Sequence, residues 1–130
     1  MKRIIFILLT FLGFNSCMNA QEQNYSDMDV AEFSKYVTKD GVQLIDVRTP
    51  EEYEEGHIAG ARNINVFDSD FIDEALSSLD KSRPIAVYCR SGKRSADAAR
   101  QLSKQGYTVT NLKGGILDWS EHHLPITKIE

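Results

Sequence analysis

The sequence predicts a single α/β domain built on a mostly parallel sheet, and two observations carry that reading. Short apolar runs of strand length alternate along the chain with amphipathic segments of helix length. The 130 residues are 42% hydrophobic and 26% charged, with eight Gly and three Pro. That profile fits one globular unit and excludes a disordered, collagen-like or multi-spanning chain.

The start of the chain stands apart from this domain. Lys2 and Arg3 precede an apolar run from Ile4 to Phe14 that only Thr10 and Gly13 interrupt, and no acidic residue occurs before Glu22. The run is too short to cross a bilayer as a helix, which takes about 20 residues. It suits the apolar core of a secretory signal over residues 1–20. The segment closes on Phe14-Asn15-Ser16-Cys17. A small residue before a cysteine resembles a bacterial lipoprotein cleavage site, which would make Cys17 the lipidated N-terminus; Phe14 stands where that pattern usually has Leu. Ordinary cleavage after Ala20 is the alternative. Either route predicts an exported, periplasmic domain, held to a membrane only through a lipidated Cys17. Residues 21–27 follow as a short polar tether, and the domain is expected over 28–130.

Within the domain each element has a local cause. Ser26 is positioned to cap a helix with Asp29 at its third residue, and Val30, Phe33 and Val37 give it an apolar stripe. Gly41 closes that helix, and Val42 to Val47 read as a buried strand. Thr49-Pro50-Glu51-Glu52 is a strong helix start, with a Thr cap, Pro at the first helical position and Glu at the third. Gly56 ends it. Ile72, Ala75, Leu76 and Leu79 mark the next helix, closed before Pro84, and Ile85 to Tyr88 form a short apolar strand. After the segment Cys89-Arg90-Ser91-Gly92-Lys93-Arg94-Ser95 comes a helix with Ala98, Ala99 and Leu102 on one face. Gly106 terminates it, Tyr107 to Leu112 is the last strand, and Gly114-Gly115 turn the chain into a final helical turn holding Ile116, Leu117 and Trp119.

The formal charge is −4. Setting Lys2 and Arg3 aside with the signal leaves thirteen basic side chains against nineteen acidic ones, a balance of −6. So acidic a body disfavours nucleic acid and anionic membrane as partners, and any anion site must be local. Two cysteines, Cys17 and Cys89, are too few for a disulfide framework.

Cys89 carries the chemistry. It stands at a strand end before a tight loop and a helix, which is the carboxyl edge where α/β sheets place their sites. Loop N–H groups and the start of the next helix favour a thiolate there. Arg90, Lys93 and Arg94 place three cations within five residues of an otherwise acidic domain, and Gly92 supplies a permissive backbone. Lone cysteines after strands are often inert buried side chains, but this combination points to a reactive one.

Here the chain resembles the single-domain rhodaneses, a sulfurtransferase family. Leu44-Ile45-Asp46-Val47-Arg48-Thr49-Pro50-Glu51-Glu52-Tyr53 matches the first signature of that family, and Gly56-His57-Ile58-Ala59-Gly60-Ala61-Arg62-Asn63-Ile64 its continuation. Val87-Tyr88-Cys89-Arg90-Ser91-Gly92 with Lys93-Arg94-Ser95 matches the active-site loop, and Leu112-Lys113-Gly114-Gly115 with Trp119 the C-terminal signature. The resemblance covers roughly residues 28–125, and four motifs in the right order make it specific. It implies a five-stranded, mostly parallel sheet with helices on both faces. It further implies that Cys89 takes a sulfane sulfur from a donor such as thiosulfate and passes it to a thiol, cyanide or protein acceptor. Arg90, Ser91, Gly92, Lys93, Arg94 and Ser95 would bind the small anionic donor, with no metal or organic cofactor.

Other residues are read as structural. Asp46 and Arg48 suit an ion pair at a strand end, His57 a hydrogen-bonded turn, and Trp119 packing. His57, His122 and His123 show no ligand spacing. A phosphatase of related architecture would carry Arg six residues after the cysteine, where this chain has Ser95, and a dithiol oxidoreductase would want a second nearby cysteine. A carrier loaded by a protein partner remains an alternative, because it needs the same persulfide cradle. The other alternative is a non-catalytic binding module; such modules of the family have lost the cysteine, whereas this chain keeps Cys89 with its basic loop.

Overall fold

Residues 24–129 are described by a computed structural model. The signal expected over 1–20 and its Cys17 lie outside the described residues. Strand β1 (Ser26–Met28) leads into helix α1 (Val30–Tyr36), β2 (Gln43–Asp46), α2 (Pro50–Glu55) and β3 (Arg62–Asn63). Then follow α3 (Phe71–Ser78), β4 (Ile85–Tyr88), α4 (Lys93–Lys104), β5 (Val109–Leu112) and α5 (Gly115–Glu121). The five strands form one sheet in the order β1-β5-β4-β2-β3, and every pairing is parallel.

Because helices cover both faces, the central strands are apolar on both sides and their residues alternate between two cores. Ile45, Val47, Ile85, Val87, Cys89 and Val109 face one way, against Phe71 and Ala75 of α3 and Ala98, Ala99 and Leu102 of α4. Leu44, Ala86, Tyr88 and Leu112 face the other way, against Val30 and Phe33 of α1 and Ile116 and Trp119 of α5. Trp119 is buried as expected, its indole N–H donating to the Pro125 carbonyl at 2.9 Å.

Three local expectations are corrected. Ser26 does not cap α1; it lies in β1, paired in register with Thr110, so Ser26 and Asp27 belong to the sheet and not to a tether. Asp29 is the cap, its carboxylate accepting from the Glu32 N–H at 3.0 Å. On α3 the buried stripe runs through Phe71, Ala75 and Leu79, so Leu76, a quarter-turn beyond Ala75, is left exposed. Leu117 is likewise exposed on α5.

The connection after β2 leads to one side of the sheet and the connection after β4 to the other, so their carboxyl ends diverge and leave a crevice. Among the described residues no helix is long and apolar enough to cross a membrane. Because Asp29 satisfies an otherwise orphaned N–H, Asp29→Ala should lower stability by about 1 kcal/mol. A shift of the urea midpoint with an unchanged slope would show it; an unchanged midpoint would contradict the capping role.

Candidate active site

Cys89 directly follows β4 and is almost fully buried. Its Sγ accepts from the Gly92 N–H at 3.1 Å and from the Ser95 hydroxyl at 3.4 Å. Burial on its own pushes the thiol up. The Ser95 hydroxyl and the N–H groups of Ser95, Gly92 and Ser91 together outweigh burial and bring it below its ordinary value. The loop thus stabilises a thiolate that is hidden from bulk water.

Two glycines hold the loop in place. Gly92 has φ +100°, and a Cβ there would run into the Lys113 carbonyl. Gly115 has φ +67°, and a Cβ there would run into the Arg90 carbonyl. Their absence of side chains lets the start of α5 seat against the loop, with Ile116 N–H donating to the Cys89 carbonyl at 2.9 Å and Leu117 N–H to the Arg90 carbonyl at 3.1 Å. From β5 the Asn111 amide reaches the Gly92 carbonyl at 3.3 Å and the Asp27 carboxylate at 3.1 Å.

The three cations of the loop are not equivalent. Arg90 and Lys93 are exposed, whereas Arg94 is half-buried and grips Glu52 of α2 with two bonds of 2.8 and 2.9 Å. Its guanidinium also lies 5.4 Å from the centre of the Phe67 ring. Glu52 holds Arg94 more firmly charged than usual, and the Cys89 sulfur adds a weaker pull in the same direction. Of the three cations expected in this loop, two are exposed and Arg94 is paired.

A family model for the rhodanese-like domain matches residues 29–122. The chain belongs to the rhodanese-like family. It is 42% identical over 90 residues to a sulfurtransferase of Allochromatium vinosum, covering 68% of this chain and 81% of that protein. With thiosulfate sulfurtransferase 18 of Arabidopsis thaliana it shares 34% identity over 115 residues, covering 79% and 84%. The crystal structure of a rhodanese-related protein from Thermoplasma volcanium superimposes with a TM-score of 0.70 at 31% identity, over 79% of this chain and 98% of that one.

In this rhodanese-like domain the predicted ion pair of Asp46 and Arg48 is a buried frame beside the crevice. Arg48 binds both Asp46 oxygens through Nε at 3.0 Å and Nη2 at 2.7 Å, and the same Nη2 donates to the Gly56 carbonyl at 2.7 Å. The Asn63 amide ties the Asp46 and Arg48 carbonyls together at 3.0 and 2.9 Å. His57 is a turn residue as expected: its ring stacks on Tyr53, Nδ1 lies 2.8 Å from the Tyr53 carbonyl, and its backbone pairs with Thr127. His122 and His123 are exposed past the end of α5. Among the described residues one carboxylate group, Asp68, Asp70 and Glu74, lies within mutual metal-binding reach, but all three are exposed.

Of the residues expected to bind substrate, the structure gathers Ser91, Gly92 and Ser95 around the sulfur and sends Arg90 and Lys93 to the outer side. Sequence reasoning passed over Glu52, whose pairing with Thr49 marked only a helix start, and Asn111, whose amide braces the loop.

Removing the Ser95 hydroxyl takes away the strongest donor to the thiolate, so Ser95→Ala should move the midpoint of the ultraviolet thiolate absorbance to higher pH. An unmoved midpoint would mean the backbone N–H groups suffice. Glu52 offers a second check. Arg94, helped by Thr49, lowers its carboxyl from 4.5 to about 2. The ionised form favours the folded state, so this contribution is complete above pH 4.5 and is lost as pH falls through about 2. The stability gap between wild type and Glu52→Gln should narrow over that window, modestly because the pair is partly solvated.

Proposed function

We propose that this chain is a sulfurtransferase that carries sulfane sulfur as a persulfide on Cys89, with thiosulfate as donor. The supporting observation is the buried Sγ held by the Gly92 N–H and the Ser95 hydroxyl, a cradle that favours a thiolate and leaves donors facing the position of an attached anionic sulfur. The thiosulfate activity named for the Arabidopsis thaliana relative supports the choice of donor.

The thiolate attacks the outer sulfur of thiosulfate, and the S–S bond of the donor breaks with its electron pair leaving on sulfite. Charge is conserved, since a thiolate and a dianion become a persulfide anion and sulfite. Arg90 and Lys93 draw the dianion to the loop, while Arg94 is bound to Glu52. A nucleophilic acceptor then attacks the outer persulfide sulfur, and the electron pair of the broken bond returns to Cys89. Outside the reacting atoms, the run from Lys2 to Cys17 supports export of the domain, with the reaction on the far side of the cytoplasmic membrane.

Intact-mass analysis after incubation with thiosulfate tests the proposal. The protein should gain the mass of one sulfur atom, lose it on adding cyanide, and show no gain as Cys89→Ser. No adduct on a folded wild-type protein would overturn thiosulfate as donor. An adduct formed only from a protein persulfide would establish a partner-loaded carrier instead.

A further inference from the structure

Two recesses flank the 90–95 loop. One, of 290 Å³, is lined by Glu52, Glu55, Arg90, Leu117 and Ile126, with Arg48 at its base. The other, of 520 Å³, is lined by Val66, Phe67, Lys93, Arg94, Asp97 and Arg100. Glu52 lines the first and Arg94 the second, so their ion pair stands between the two.

The recesses differ in charge. In the smaller one Glu52 is paired with Arg94 and Arg48 is committed to Asp46 and the Gly56 carbonyl, which leaves Glu55 and Arg90, one charge of each sign. The larger one presents three cations against the single carboxylate of Asp97. Asp97 is divided between Arg100, at a long 3.5 Å, and the Gln101 amide at 3.1 Å. Arg94 is held by Glu52, which leaves Lys93 and Arg100 to set a positive wall on a domain whose overall balance is negative. Opposite them is Phe67, 67% exposed and the most exposed large hydrophobic side chain among the described residues. Ser91, whose N–H helps hold the Cys89 sulfur, lines the same recess and joins it to the reacting centre.

Resting on the persulfide reading above, we infer that the larger recess seats the sulfur acceptor, and that the acceptor is a small thiol bearing carboxylates. Its carboxylates pair with Lys93 and Arg100 and its carbon chain lies along Phe67 and Val66. The volume falls within the roughly 300–1,000 Å³ of small-molecule sites. The smaller recess, where Glu55 is offset by Arg90, has no such excess of positive charge. In the transfer step the thiol has already given its proton to solvent. Its thiolate attacks the outer persulfide sulfur, forming a new S–S bond on the acceptor. The bond to Cys89 Sγ breaks, and its electron pair restores the thiolate without any net oxidation.

The test begins with protein loaded by thiosulfate, checked by mass, and freed of excess donor. Single-turnover discharge is then followed with mercaptosuccinate, 2-mercaptoethanol and cysteamine, each rate corrected for its thiolate fraction. Mercaptosuccinate should be favoured, and Arg100→Glu should slow it about five- to tenfold while barely changing 2-mercaptoethanol. Arg100→Lys should keep the preference, added salt should erode it, and loading by thiosulfate should be unchanged in both variants. Equal effects on all three thiols, or none, would overturn the proposal. If wild type fails to load, the persulfide reading falls, and succinate titration of the unloaded protein decides the recess. Amide shifts centred on Phe67 and Arg100 and lost in Arg100→Glu support an anion seat there; no such shifts overturn it.

Discussion

The carbonyl oxygens of Lys113 and Arg90 occupy the places where residues 92 and 115 would carry side chains. That steric constraint governs the whole site. With two glycines the 90–95 loop and the start of α5 touch backbone to backbone, and the contact is sealed by hydrogen bonds from Ile116 and Leu117. The loop then curls tightly enough for N–H groups to converge on one sulfur. Any Cβ at either position would force the two segments apart, and the cradle would open to water, which competes for the same donors.

Charge is arranged around this contact in graded fashion. Asp46 and Arg48 are buried and satisfy each other, so they shape the crevice without adding net field to it. Glu52 has two tasks at once: it completes the capping box of α2 with Thr49 and it restrains Arg94. One carboxylate therefore couples the end of a helix to the loop of a different βα unit. The exposed pair, Arg90 and Lys93, is what remains to attract an anion from solution.

Much of this was legible in the sequence. Strand β4, sandwiched between helices, is a continuous apolar run from Ile85 to Tyr88, and β2 and β5 keep apolar residues at Leu44, Ile45, Val109 and Leu112, so all three are visible without any structure. Cys89 announced itself through a strand end, a glycine and nearby cations. The edge strands were a different matter. β1 and β3 have three and two residues and carry Ser26, Asp27, Arg62 and Asn63, so neither offers a period or an apolar run; the expected strand number came from the family resemblance. Ser26 was misread as a cap because the true signal, Asp29 with Glu32 three residues on, has the same grammar shifted by one turn. The partner of Arg94 could not be read at all, since Glu52 is 42 residues away and already had a local explanation.

The pairing of β1 with β5 joins Ser26 to Thr110, nearly the full span of the domain. Contacts so distant in sequence carry a large loop-closure cost, because a long loop must close before they are rewarded. The segment that pins the cysteine loop, from Asn111 through Leu117, begins in that same strand β5. A chain that stops at Thr110 has every part of β4 and the cysteine, yet no backbone to brace the loop. The nucleophile thus has its full cradle only when residues 111–117 have packed against the loop, which couples chemical competence to completion of the fold.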